Sequence, residues 1–291
     1  AWLDEQGGDA QRALKACLKA LSLCEEGSDA QADMRGRLVR LGQKLGLLAW
    51  DEIARAERSM AGSNPRTLQK RLVYLASLWQ HCAADYVRAL DAAGQAYRLT
   101  YFPSGLPQGG AGAKSGPPLS ELVLTNPDAD QLAEQRSIRA VLDRIALAAP
   151  NDSEGNGKLT AFLDSLTNQL NEAGASTQAA LLQLDAAQVD ERRNRLSQAE
   201  RRYVEVSKNP QIGEQATALL EKLYRQQRRF NDLAALLEKR RATAAPSAQY
   251  GILLDLGELY RETNKYQLAL NSITAALAIN AHDDAPYALQ A

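Results

Sequence analysis

Histidine and cysteine, the side chains that most often carry catalysis or hold transition metals, are scarce in this chain of 291 residues. It has two histidines, His81 and His282, and three cysteines, Cys17, Cys24 and Cys82. These residues form no H-x-x-x-H, H-E-x-x-H or C-x-x-C spacing, and neither a Walker-type phosphate loop nor a G-x-S-x-G motif occurs. The sequence therefore predicts a protein that is not an enzyme and that holds no metal ion and no cofactor.

The sequence also lacks an excess of either charge and a long apolar run. The 34 basic residues are matched by 35 acidic ones, and a formal net charge of −1 gives no general attraction to nucleic acid or to an anionic membrane. No apolar stretch approaches the roughly 20 residues that cross a bilayer. We therefore expect no nucleic acid as partner and no direct membrane insertion. The odd number of cysteines favours free thiols and a cytoplasmic location, and it leaves a periplasmic one open.

Aromatic and β-branched residues are few, whereas alanine and leucine are abundant, and this composition favours helices over strands. Apolar residues recur every three or four positions, as they do at Leu38, Leu41, Leu45 and Leu48. Such a stripe is typical of an amphipathic helix that buries one face. Breaks rich in Gly, Asn and Pro separate the stripes at the rhythm of helical hairpins. The sequence predicts an all-α protein.

One segment, residues 100–130, departs from this rhythm. It contains five of the ten prolines, and we interpret it as a Pro/Gly-rich insertion that is either a connector or a functional loop. Its "LSELVL" stretch is apolar enough to pack. A second break, Ala149–Lys158, predicts an exposed loop. The predicted organisation is N-terminal hairpins over 1–99, the insertion over 100–130, a helical segment without a clear repeat over 131–175, and C-terminal hairpins over 176–291.

An internal repeat is visible in the last third of the chain. Leu196, Phe230 and Tyr266 are each predicted to begin the second helix of a hairpin, and they are 34 and 36 residues apart. Residues suited to helix packing follow each of these starts by three and by seven positions: Ala199, Leu233 and Ala269, then Tyr203, Leu237 and Ile273. A single hairpin cannot enclose a core, so such units must stack on their neighbours.

The best copy, Tyr250–Asp283, contains the pair Leu256-Gly257, then Tyr260 and Ala269, and it resembles the tetratricopeptide repeat. Degenerate copies with a compatible register run from Gly8 and over Arg35–Met60, Leu72–Arg98, Ala180–Pro210 and Glu214–Arg241. The resemblance implies an α-solenoid, in which stacked hairpins wind into a right-handed superhelix. Because both ends of the chain fall inside repeats, we expect the array to continue in both directions.

In relatives with this repeat, the first helices of the hairpins line a concave groove that binds a partner. The resemblance places nine residues there: Gln188, Glu191, Arg192, Lys222, Arg225, Gln226, Leu254, Glu258 and Arg261. Relatives that capture a peptide carboxylate have Lys, Asn and Arg in the groove, and Glu191 and Glu258 depart from that pattern. The sequence therefore predicts a groove of mixed charge. The basic runs over 190–202 and 224–230 are either helix faces with alternating salt bridges or a docking site for an acidic segment.

These features predict a scaffold or adaptor that binds another protein or an extended segment, as a component of a larger assembly. The alternative is a ligand- or peptide-sensing regulatory module of a larger enzyme or transcription regulator, in which a small peptide closes the superhelix.

Overall fold

Helices are the only regular elements in the part of the chain that the structure describes. This structure, a computed structural model, describes residues 9–104, 119–124, 127–149 and 153–280. Within these ranges it has fourteen α-helices and no strand, which confirms the all-α prediction. The helices are α1 (Ala10–Leu21), α2 (Asp29–Leu45), α3 (Leu47–Ser59), α4 (Pro65–His81), α5 (Tyr86–Tyr101), α6 (Leu119–Leu122), α7 (Ala129–Ala148), α8 (Ser153–Glu172), α9 (Ser176–Arg192), α10 (Leu196–Val206), α11 (Gly213–Gln226), α12 (Phe230–Thr243), α13 (Pro246–Glu262) and α14 (Tyr266–Ile279).

Several helices begin at residues whose side chains satisfy the free backbone N–H groups of the first turn. The Ser28 side chain accepts a hydrogen bond at the start of α2, and Asn64 does so at α4, where Pro65 occupies the first turn. Asp128 and Gln131 form a reciprocal capping box at α7. Local sequence therefore sets these helix starts.

The chain divides into two compact units, Ala1–Ala186 and Ala187–Ala291, and the boundary falls within α9. In the second unit each helix from α10 to α14 contacts the next one along the chain. In the first unit each helix from α1 to α4 contacts the next one along the chain, and α5 also contacts α7 and α8. This packing of consecutive helices is consistent with stacked hairpins.

Helix α5 is surrounded closely because its buried residues are small. Four of its alanines have no exposed surface: Ala89, Ala92, Ala93 and Ala96. A Cβ atom added at Gly94 would lie 3.1 Å from the Phe162 ring of α8. Small side chains let three neighbouring helices approach one backbone, so α5 is the central helix of the first unit.

The three hairpin corners of the second unit share one backbone geometry. Asn194, Arg228 and Asn264 have positive φ angles of 57°, 55° and 58°. At each corner the next residue donates its N–H to a carbonyl five residues earlier, at 2.8, 3.0 and 2.8 Å. This left-handed residue with its long-range bond is the Schellman end of a helix.

The second helices of these hairpins begin at Leu196, Phe230 and Tyr266, as predicted. The crossing positions of the predicted repeat, Ala199, Leu233 and Ala269, are all buried. The pair Leu256-Gly257 also has a packing reason, because a Cβ at Gly257 would lie 2.9 Å from Ile273. The repeat in the sequence is therefore a repeat of corners and crossings in the fold.

The predicted loop Ala149–Lys158 is partly wrong, because α8 already begins at Ser153. Glycines in this segment disfavour a helix, because each helical glycine costs about 1 kcal/mol of stability relative to alanine. Leu159 and Leu163 are 1% and 0% exposed, and their burial on α8 offsets that cost.

The Pro/Gly-rich insertion is described only in part, since residues 105–118 and 125–126 lie outside the described residues. Val123, from the "LSELVL" stretch, is buried, and the Leu124 N–H donates to the Tyr101 carbonyl at 2.8 Å. This stretch packs, as predicted. The partial repeats at the two ends, from which we expect the array to continue, lie in residues 1–8 and 281–291, also outside the described residues. Among those described, no helix is long and apolar enough to cross a membrane.

Candidate binding surface

Helix α11 presents a polar face to solvent. Lys222, Arg225 and Gln226 are all exposed, and their spacing of three and four residues places them on one side of the helix. The buried residues Leu220 and Leu223 occupy the opposite side. The groove candidates on α11 are therefore accessible to a partner.

Helix α13 repeats this arrangement with a different charge pattern. Glu258 and Arg261 are exposed, whereas Leu254 is half-buried. The core side of α13 is formed by residues such as Leu253 and Leu256. The α13 face thus offers one carboxylate and one guanidinium beside a partly covered apolar side chain.

The groove candidates on α9 take part in hydrogen bonds that stabilise the fold. Gln188 and Glu191 are half-buried, and Arg192 is exposed. The hydroxyl of the fully buried Tyr203 donates to Glu191 Oε2 at 2.7 Å. Burial, followed by this hydrogen bond, raises the pKa of Tyr203 above its usual range. Glu191 therefore holds α10 to α9, and the Arg192 Nε also bonds within its own helix, to the Gln188 carbonyl at 3.4 Å.

Within the described part of the second unit, four charged candidates have no ion pair and no side-chain hydrogen bond: Lys222, Arg225, Glu258 and Arg261. An exposed charge without a partner interacts with solvent and remains available to a ligand. These four residues, with exposed Gln226 and Arg192, form what we call the first-helix surface.

Most other arginines of the basic runs are paired, which matches the interpretation as salt-bridged helix faces. Asp190 is fully buried, and its carboxylate accepts from Arg202 Nε at 2.8 Å and lies 2.6 Å from an Arg195 nitrogen. In the second run, Arg229 pairs with Asp232 at 2.7 Å. The pair of Asp190 with Arg202 fixes α9 to α10, whereas Lys222, Arg225, Glu258 and Arg261 take no part in any of these pairs.

Glu200 joins two successive hairpins. Its carboxylate accepts from the Tyr224 hydroxyl at 2.8 Å and from Arg229 Nη2 at 3.0 Å. Arg229 is the residue that follows the left-handed corner at Arg228, so the corner geometry aims its side chain back at the preceding hairpin. The hydrogen bond from Arg229 holds the pKa of Glu200 below its usual range, and burial raises the pKa of Tyr224 to about 12.

We expect Glu200→Gln to lower the free energy of unfolding by about 1 kcal/mol at neutral pH. The folded pKa of Glu200 lies below its unfolded value, so the stabilisation exists above the unfolded pKa and disappears as pH falls through the folded one. The difference between wild type and variant, measured by urea denaturation, should therefore shrink from pH 7 to about pH 3. Glu205→Gln, in the exposed pair with Lys208, is the matched control. An equal loss at both pH values would contradict this role of Glu200.

A polar network inside the first unit is not indicated by the sequence. The Tyr97 and Tyr101 hydroxyls lie 3.0 Å apart, and Arg139 approaches Asp143 at 3.2 Å and Asp185 at 3.4 Å. Burial raises the pKa of both tyrosines, so their hydroxyls stay protonated. The network links α5, α7 and α9 and has an internal, structural role.

A second missed cluster centres on Glu57, whose side chain is completely buried. Arg35 donates to both of its carboxylate oxygens, at 2.7 and 2.8 Å, and Arg71 donates at 2.6 Å. A sequence signal did exist, because Glu57 follows Trp50 and Ile53 on the apolar stripe of α3. A charge at such a position must find buried partners.

Among the described residues, no group of His, Cys, Asp and Glu side chains is arranged to hold a metal ion. Within the described residues none of the three cysteines forms a disulfide bond; Cys17 is buried, and Cys24 and Cys82 are half-buried.

Comparison with known proteins gives little. No family model and no curated protein matches the sequence. Among solved structures, 28 chains match. One is the crystal structure of BtubC (BKLC) from P. vanneervenii, with a TM-score of 0.35 and 16% sequence identity over 82% of this chain and 91% of that one.

Proposed function

We propose that this protein is a scaffold or adaptor that binds a partner protein, or an extended segment of one, along the first-helix surface. The observation that carries the proposal is the set of exposed charges on α11 and α13 that have no ion pair and no side-chain hydrogen bond in the described part of the second unit. Lys222, Arg225 and Arg261 are positive and Glu258 is negative, so a predominantly acidic segment complements the surface.

The fold favours a binding function over a catalytic one. The repeated corners at Asn194, Arg228 and Asn264 fix how each hairpin turns, so its exposed groups are held in place before a partner arrives. A pre-organised surface loses little conformational entropy on binding. The resemblance to the tetratricopeptide repeat adds the proposal that these faces line the concave side of a right-handed superhelix. Cysteines that form no disulfide bond among the described residues support a cytoplasmic location, and a periplasmic one stays open.

We expect the double variant Arg225→Glu/Arg261→Glu to bind its partners with an affinity about tenfold or more below that of wild type. The reason is that two attractive contacts become repulsive. The measurement is a pull-down with wild type to identify partners, followed by calorimetric titration of each purified partner into both proteins. Lys239→Glu is the matched control, since Lys239 is an exposed cation on the second helix α12. If every partner binds the double variant as it binds wild type, the proposed surface is wrong.

The alternative, a ligand- or peptide-sensing module of a larger enzyme or transcription regulator, is favoured by a cleft in the second unit. This cleft of ≈ 390 Å³ lies between the α10–α11 connection and the α12–α13 connection, and Asn209, Thr217 and Arg240 are among its lining residues. Small-angle scattering with a short peptide separates the two functions, because only a sensor is expected to change between extended and compact forms.

A further inference from the structure

A basic pocket lies in the first unit, on elements that the proposed function does not use. It has a volume of ≈ 350 Å³ and is lined by the α1–α2 connection, by α2 and by α4. Three cations line it: Arg35 from α2, and Lys70 and Arg71 from α4. Clefts of this size are typical of sites for small molecules.

Arg71 lines this pocket with unused hydrogen-bonding capacity. Its side chain is 6% exposed, and one Nη donates to the buried Glu57 carboxylate at 2.6 Å. Its Nε is buried and has no hydrogen-bond partner in the described structure. A buried guanidinium N–H without an acceptor is costly, and a ligand in the pocket would supply the acceptor that Arg71 lacks.

Lys70 and Tyr74 add donors at the pocket wall. Lys70 is exposed, and no carboxylate among the described residues pairs with it. Tyr74 is half-buried with its ring 4.3 Å from the Arg35 guanidinium, and burial raises its pKa to about 12, so its hydroxyl remains a donor. The Gly27 N–H, in contrast, is already occupied by the Gln31 side chain at 3.0 Å.

The charges of the pocket are unbalanced. Of the carboxylates nearby, Glu57 is held by both arginines, and Glu26 is exposed at the rim without an ion pair among the described residues. Three cations therefore exceed the two carboxylates, and an added anion restores the balance.

We propose that this pocket binds a phosphate group carried on a small molecule, with Lys70, Arg71 and Tyr74 as donors to its oxygens. Phosphate is favoured because it offers several acceptors at once to separated N–H and O–H donors. The volume of ≈ 350 Å³ exceeds what one phosphate ion fills, which leaves room for an organic group.

The test is calorimetric titration of the full chain with inorganic phosphate and with glycerol phosphate, at an ionic strength held constant by NaCl. We expect saturable binding of both, and tighter binding of the ester. Lys70→Met should weaken both by about fivefold, the effect of one exposed charge at contact distance. Lys15→Met, at an exposed lysine of α1 outside the pocket, should bind like wild type.

Tighter binding of the ester assigns the site to a phosphorylated molecule, whereas tighter binding of inorganic phosphate assigns the same donors to the free ion. The proposal is overturned if neither ligand gives saturable heat, or if Lys70→Met and wild type bind both ligands equally. Lys70 is exposed and its replacement leaves the Glu57 cluster intact, so loss of folding does not confuse the result. A negative result in this titration has no bearing on the binding function proposed for the first-helix surface of the second unit.

Discussion

Replacing Glu57 with leucine is expected to destabilise the first unit by about 3–5 kcal/mol. The Glu57 side chain is completely buried, and it compensates Arg71, which is 6% exposed, as well as Arg35. Without the carboxylate, the Arg71 guanidinium stays in a low-dielectric interior with neither water nor a counter-charge. Arg35 is 23% exposed and can turn part of its charge to solvent, so most of the loss comes from Arg71.

Tryptophan fluorescence during urea denaturation measures this effect selectively. All three tryptophans precede residue 80, and Trp50 and Trp79 are buried in the first unit, so the signal does not report on the second. Asp33→Asn is the matched control, because Asp33 is exposed and its pairing with Arg37 is worth about 0.5 kcal/mol. A loss below about 1 kcal/mol for Glu57→Leu would contradict the role given to the cluster.

The double variant Glu57→Leu/Arg71→Met separates charge from packing. It removes the buried carboxylate and the buried guanidinium together and leaves apolar groups of similar size in their place. Replacing a buried ion pair in this way is often neutral, so most of the lost stability should return. If the double variant is less stable than Glu57→Leu, then Arg71 contributes through its packing more than through its charge.

The sequence predicted those parts of the fold that are set by residues close together in the chain. The starts of α10, α12 and α14 were predicted from a spacing of 34 and 36 residues, and the fold keeps that spacing in its left-handed corners. Asn tolerates the left-handed conformation, so Asn194 and Asn264 carry a local signal, while Arg228 adopts it without one. The loop at 149–158 was wrong because burial further along α8 decided the helix start.

The sequence could not predict the contacts that depend on distant residues. Glu57 meets arginines 22 and 14 positions away, and Arg139 meets Asp185 at a separation of 46. The same limit applies to the candidate surface. Periodicity places Lys222 and Arg225 on a polar face, whereas nothing local shows that Glu191 accepts a bond from Tyr203. Helix packing decides which charges are paired, and therefore which charges remain available to a partner.

In the second unit, Tyr203→Ala is expected to lower stability by about 3–5 kcal/mol. Tyr203 is among the largest side chains with no exposed surface, and it lies on α10 seven residues after the helix start. Its removal leaves a cavity at the point where α10 meets the end of α9. Circular dichroism at the helix band follows the loss, with tryptophan fluorescence as the internal reference, because the first unit should unfold as before.

Tyr203→Phe divides this effect between the ring and the hydroxyl. The ring remains buried, and only the bond to Glu191 is lost, so we expect a cost of about 1 kcal/mol. The two proteins should also differ at high pH. Because the folded pKa of Tyr203 is raised, wild type loses stability as pH rises above the ordinary tyrosine pKa of about 10, and the phenylalanine variant loses less. If Tyr203→Phe costs as much as Tyr203→Ala, the hydrogen bond rather than the buried ring holds α10 in place.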